Sequence, residues 1–256
     1  MSRSSTLSGK VAIVTGASRG IGAGIAYEIA KRGAKVCLTY TSDKSASGVD
    51  ELIVKIDALG NGSAAIRVQA DLRDLEAPSQ IVSATLAAYG DHVDILVNNA
   101  GVELIKEIQD VTPQDFAFVF DLNIRGAYFM VQAVVKHLRS PGRIINVTSV
   151  GARGGYPKFS VYCASKAALE GMTRALAAEL GTAGHTVNAV EPGPTESDML
   201  ENIPKDLVAM QKKMTPMEHR SGTPEDIALV VAFLAEEQSR WITGQTLSAS
   251  GGFTML

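Results

Sequence analysis

Val11-Ala12-Ile13-Val14-Thr15-Gly16-Ala17-Ser18-Arg19-Gly20-Ile21-Gly22 is the stretch that decides the fold. Val11 to Thr15 reads as a short buried strand, and from Gly20 to Arg32 apolar residues recur at three- and four-residue intervals, the period of a helix. The glycines between them permit a tight backbone, and the unpaired N–H groups at the helix start suit an anion such as a pyrophosphate. The spacing is G-x-x-x-G-x-G rather than G-x-G-x-x-G, so the strand before it and the helix after it carry as much of the argument as the glycines.

The same alternation continues outward. Val36 to Tyr40, Ala65 to Gln69, Ile95 to Asn98, Arg143 to Thr148, Thr186 to Val190 and Thr246 to Ser248 read as further strands. Helical periodicity fills Lys44 to Leu59, Leu75 to Tyr89, Thr112 to Arg139, Val161 to Leu180 and Thr223 to Ala235. Thr112-Pro113 and Thr223-Pro224 mark two helix starts with a hydroxyl cap and a proline at the first helical position. The expected fold is α/β: one doubly wound parallel sheet of about seven strands over residues 1–256, with helices on both faces and ligands at the carboxyl ends of the strands. Glu191 to Gly222 shows no clear period and is expected to be a substrate loop, in the manner of a lid.

Composition narrows the function. The 256 residues are 46% apolar and carry a net charge of -3 without a long basic run, which argues against nucleic acid or an anionic membrane as a partner. The first ten residues are polar, and no apolar stretch reads as long enough to span a bilayer, so a cytosolic protein is expected. Cys37 and Cys163 have no metal-binding spacing, the four histidines are scattered, and no metal is expected.

The end of the second strand reads Leu38-Thr39-Tyr40-Thr41-Ser42. An acid there would bind the ribose hydroxyls of NAD, whereas Tyr40, Thr41 and Ser42 with Arg19 on the glycine turn favour the extra phosphate of NADP(H). Asp43 is the contrary signal if the strand ends a few residues later. Beyond the fifth strand stands Ser149, and thirteen residues on, Tyr162 and Lys166 lie four apart on one helix face, where an ammonium can stabilise a phenolate. A tyrosine so tuned serves as a general acid or base. Cys163, its neighbour in the helix, points about 100° away and reads as packing.

The glycine turn, Asp71-Leu72, Asn98-Asn99-Ala100-Gly101, Asn123, Ser149, Tyr162 with Lys166, Asn188 and Pro192-Gly193 together resemble the short-chain dehydrogenase/reductase family, in its order and approximate spacing from Lys10 to Gly252. The resemblance implies a Rossmann domain in which Tyr162 is the general acid, Lys166 binds the nicotinamide ribose, Ser149 orients a carbonyl and Asn123 holds a relay water. It further implies cofactor contacts at Gly16, Ser18, Arg19, Ile21, Asp71, Leu72, Asn98, Ala100, Gly101, Pro192, Gly193, Thr195 and Ser197, and a homotetramer or homodimer. Within the family the pattern is similar to ketoacyl-carrier-protein reductases and to polyketide and naphthol ketoreductases, with a fungal flavour around Trp241 to Gln245. Phe129 and Ala183 stand where carrier-protein reductases tend to be basic, which favours a small hydrophobic or cyclic ketone. The alternatives are a 3-oxoacyl-carrier-protein reductase and a non-catalytic NADP(H)-binding regulator.

Overall fold

Successive residues of each inner strand point to opposite faces of a sheet, and here both faces are covered. Ala12, Val14, Val36, Leu38, Ile95 and Val97 pack into one apolar cluster, while their neighbours Ile13, Cys37 and Leu96 pack into a second on the other side. Continuous apolar strands with helices on both faces follow from this.

The computed structural model describes residues 5–201 and 203–255. In chain order the elements are β1 (Val11–Val14), α1 (Gly20–Lys31), β2 (Lys35–Tyr40), α2 (Ala46–Asp57), β3 (Ala64–Gln69), α3 (Ala77–Tyr89), β4 (Val93–Asn98) and α4 (Pro113–Phe120). They continue with α5 (Ala127–Val135), β5 (Leu138–Val147), α6 (Ser160–Leu180), β6 (Thr186–Pro192), α7 (Asp198–Glu201), α8 (Lys205–Met214), α9 (Pro224–Ala235) and β7 (Thr246–Ala249). All seven strands join one parallel sheet in the order β3-β2-β1-β4-β5-β6-β7. The chain runs outward from β1 to β3, then returns to place β4 on the other side of β1, so the crevice between the ends of β1 and β4 is the topological switch point.

Three expectations need correction. The helix predicted over Thr112 to Arg139 is two helices joined by a wider π-helical turn, Asp121–Gly126, and it ends at Val135. Leu138 and Arg139 belong to β5, because Leu138 pairs with Val93 and the Arg139 guanidinium reaches Asp94 at 2.6 Å. Secondly, this helical run, Pro113–Val135, is long and apolar enough by length and composition to cross a bilayer. Val119, Met130, Val131 and Val134 instead bury its inner side, while Phe116, Phe118 and Tyr128 remain exposed. Thirdly, the expected loop 191–222 contains α7 and α8. Helix α8 lies between Pro204 and Pro216 and buries none of its residues; Leu207, Met210 and Met214 do recur at helical intervals, but over fewer than three turns bounded by prolines.

Helix α9 begins as its sequence requires. Thr223 accepts from the Asp226 N–H at 3.2 Å, Asp226 accepts from the Thr223 N–H at 2.7 Å, and Pro224 occupies the first helical position. This end presses against α1, where a Cβ on Gly24 would lie 3.0 Å from the Pro224 Cβ. Replacing Thr223 with Ala removes the cap, and urea titration of the variant is expected to show a loss of about 1 kcal/mol.

Candidate active site

At the switch point the loops after β1 and β4 are stitched together. The Thr15 hydroxyl accepts from the N–H groups of Asn99 and Ala100, both at 3.0 Å, and donates to the Val97 carbonyl at 3.3 Å. The Asn99 amide donates to the carbonyls of Thr15 at 2.8 Å and Gly16 at 3.0 Å. From the β2 side, Thr39 accepts the Gly16 N–H at 3.1 Å. Gly16 adopts φ +65, and a Cβ there would lie 3.0 Å from the Ala100 Cα; a Cβ on Gly22 would lie 2.2 Å from the Gly16 carbonyl oxygen. Only glycine fits at Gly22. The start of α1 has no side-chain cap and no acid in its first turn, so its N–H groups and positive end face the crevice as an anion site. This cradle fits a dinucleotide pyrophosphate.

The catalytic candidates come together beyond the ends of β4 and β5. Ser149, in extended conformation, accepts the Gly151 N–H at 3.1 Å, which fixes its oxygen and leaves its hydroxyl proton free to donate. Lys166 is buried and donates to the Val147 carbonyl at 2.9 Å, with its ammonium 5.8 Å from the centre of the Tyr162 ring. Burial pushes Tyr162 up to about 12, opposed by the Ser149 hydroxyl, and pushes Lys166 down to about 8. Both shifts favour the neutral form of each group.

Asn123 lies in the π-helical turn and is buried. Its side-chain oxygen accepts the Val102 N–H at 2.9 Å, and its nitrogen donates to the Val102 carbonyl at 2.9 Å and to Ser165 at 3.0 Å. Both amide protons are spent, so the side chain acts as a clamp on the loop after β4.

The remaining predicted residues divide into those at the cleft and those beneath it. Arg19 is exposed, 3.4 Å from the Ser45 hydroxyl and 2.7 Å from Asp198 on α7. Thr41 and Ser42 are exposed beside it, with Ser42 3.4 Å from Ser45. Asp43 is turned away, accepting from Gln69 at 3.1 Å. Tyr40 is buried in the core cluster under α2, so its part is the absence of a carboxylate rather than a contact. Asn98 is likewise buried and donates to Asn146 at 3.0 Å, so its side chain supports the sheet instead of lining the cleft. Leu72 packs against Gly126, and Asp71 is held well below the usual carboxylate range by its bonds from Arg73. Ile21 packs on the core below the turn, and the Ser18 carbonyl lies where a Cβ on Gly48 would come within 2.7 Å. Gly101 faces Lys166, and a Cβ there would lie 3.3 Å from Nζ. After Pro192, Gly193 is bonded to Ala249, Thr195 donates to the Gly193 carbonyl at 2.9 Å, and Ser197 lies across from Gly20. Sequence reasoning missed Thr15, Thr39 and Ser45. Thr15 at the end of β1 was the one with a readable signal, a hydroxyl next to the glycine turn.

With Ser149, Tyr162 and Lys166 at the strand ends above a dinucleotide cradle, comparison with known proteins is decisive. A family profile described as enoyl-(acyl carrier protein) reductase matches residues 16–254. The chain is 49% identical over 251 residues to the short-chain dehydrogenase/reductase FrzI of Cladobotryum sp, covering 95% of each. The chain belongs to the short-chain dehydrogenase/reductase family. It is also 42% identical to the hydroxynaphthalene reductase-like protein Arp2 of Metarhizium acridum, covering 96% of each chain. A short-chain dehydrogenase from Burkholderia cenocepacia J2315, solved in complex with NADP, superposes with a TM-score of 0.90 at 39% identity, covering 97% of this chain and 99% of that one. As a member of this family the protein is an oxidoreductase acting on alcohol and carbonyl groups with a nicotinamide cofactor.

The tightness of the turn has a direct test. Gly22→Ala sets a methyl group against the fixed Gly16 carbonyl and the Asn99 amide, 2.2 and 2.4 Å away. Fluorescence titration is expected to show NADPH affinity reduced at least about tenfold, with about 1–3 kcal/mol lost in stability from overpacking.

Proposed function

We propose that the protein is a cytosolic NADP(H)-dependent reductase of hydrophobic or cyclic ketones, working in secondary metabolism. The observation that carries this reading is the convergence of Ser149, Tyr162 and Lys166 at the strand ends, with the proton-bearing phenol inside the cleft. In reduction, Ser149 and Tyr162 both donate to the carbonyl oxygen, and Tyr162 gives up its proton as the alkoxide forms. Lys166, as the ammonium, stabilises the phenolate left behind. When bound, the nicotinamide supplies the hydride. No residue need form a covalent bond to substrate, and burial raises the thiol pKa of Cys163, the helix neighbour of Tyr162.

Preference for NADP(H) is supported by Arg19, Ser42 and Ser45 standing together, with Asp43 engaged by Gln69. Free thiols at Cys37 and Cys163 suit a reducing compartment. An apolar substrate is supported by the half-buried Tyr156 and Phe159, the latter 6.4 Å edge-on from Tyr162, and by the exposed Met210, Met214 and Met217 around α8. The exposed aromatic residues Phe116, Phe118 and Tyr128 suit burial against a second copy of the chain, as a homodimer or homotetramer.

Assays at 340 nm with cyclic and aromatic ketones are expected to show oxidation of NADPH in preference to NADH and its loss in Tyr162→Phe. Arg19→Ala, a change at an exposed side chain paired with Asp198 at 2.7 Å, is expected to lower kcat/KM for NADPH at least about tenfold while leaving NADH little changed, since the guanidinium would no longer be there to turn to the 2′-phosphate. If both cofactors bind and no ketone reacts, the regulator reading replaces this one. The pH profile follows from Lys166: its ammonium is present below about 8 and lost above, so reduction is expected to fall as pH rises through that value.

A further inference from the structure

Glu103 has no role in the chemistry above. It lies on the loop after β4, two residues beyond Gly101, which faces the Lys166 ammonium, and directly after Val102, whose N–H and carbonyl are both clamped by Asn123. The loop is therefore a fixed wall of the catalytic cleft, and it carries a half-buried carboxyl group. Burial alone lifts this group to about 7, with no cation to offset it.

The nearby cations are already engaged. Lys106 pairs with Asp115 at 2.6 Å, Lys158 with Glu107 at 3.0 Å, Arg153 with Glu170 at 3.0 Å, and Lys166 donates to the Val147 carbonyl. Among the described residues Glu103 has no ion-pair partner. Its charge instead reaches Tyr162 and raises the tyrosine pKa, opposing the stabilisation of the phenolate by Lys166. An anion in this position is costly twice over, through its own desolvation and through its effect on the catalytic acid. A cation brought in beside it offsets both penalties.

We propose that Glu103 anchors a protonated nitrogen on the substrate, so that the preferred carbonyl compounds are amino ketones with a basic amine near the reacting carbonyl. The assignment rests on the reductase reading and names its substrate class. The carbon skeleton lies against Phe159 and Tyr156, while the ammonium and the half-buried carboxylate form a charge-assisted hydrogen bond.

Binding is measured by calorimetry on the NADPH-loaded protein with two alcohols that cannot react with that cofactor, 1-methyl-4-hydroxypiperidine and 4-methylcyclohexanol. The wild type is expected to bind the amine at least about tenfold more tightly, and Glu103→Gln, which keeps size and polarity, to lose that preference while binding the carbocycle as before. Equal affinities in the wild type, or a preference that survives in Glu103→Gln, would overturn the assignment. Turnover of the corresponding ketones, 1-methyl-4-piperidone and 4-methylcyclohexanone, is followed in parallel. An amine preference in binding without turnover of either ketone leaves the anchor standing and sinks the reductase reading; turnover with no amine preference does the reverse.

Discussion

The hydroxyl of Thr15 holds the two halves of the site in register. Accepting two N–H groups from the loop after β4 while donating to the Val97 carbonyl, it makes the ends of β1 and β4 one rigid piece. The glycine turn that begins at the next residue therefore cannot shift relative to Gly101 and Val102, which lie against Lys166 and Asn123. A cofactor seated on the turn and a substrate seated beside Tyr162 then share a single reference frame. Hydride transfer needs its reacting atoms within a few tenths of an ångström of the productive distance, so this rigidity bears directly on rate.

Burial does the second half of the work, and it acts on the two members of the proton-transfer pair in opposite senses. It raises Tyr162 to about 12 and lowers Lys166 to about 8, so burial pulls their proton affinities apart, and the partners of Tyr162 then adjust that gap. The Ser149 hydroxyl favours the phenolate, whereas Glu103 favours the phenol. The carboxylates behind the site show the same economy of charge. Glu191 at the end of β6 is fully buried, and burial together with Glu170 lifts it to about 7, while Arg153 is bonded to Glu170. One guanidinium serves two acids, and the deeper acid holds its proton near neutrality. Around the catalytic tyrosine, then, the protein keeps net charge low and leaves the balance to be set by what binds.

The cofactor half of this molecule was legible in the sequence because it is built from local signals. A strand, its glycine turn and its helix are contiguous, and Tyr162 and Lys166 lie one helical turn apart, so their mutual placement needs no tertiary information. The existence of the inner strands was legible for the same reason, since burial on both faces enforces unbroken apolar runs, although β5 begins at Leu138 and not at the expected Arg143. Where long-range pairing decides, the reading failed. Leu138 and Arg139 continue a helical pattern but are drawn into β5 by Val93 and Asp94, and Asn98, which stands in a family motif, turns its side chain into the sheet to meet Asn146.

The substrate half was illegible for a different reason. Helix α8 carries Leu207, Met210 and Met214 at helical spacing, but it is only ten residues long, follows Pro204 and has no buried residue, so the signal was lost in a proline-rich stretch. Glu103 is a single acid on a loop, indistinguishable by spacing from the exposed Glu107 four residues later. What separates them is partnership: Glu107 meets Lys158, whereas Glu103 has no ion-pair partner among the described residues, Lys106 and Arg153 being paired elsewhere. Cofactor binding is encoded in a motif because the cofactor is constant, and its contacts are backbone groups that any member of the fold must offer. Substrate choice is encoded in which side chains are left unpaired, and that is a property of the folded surroundings rather than of the residue.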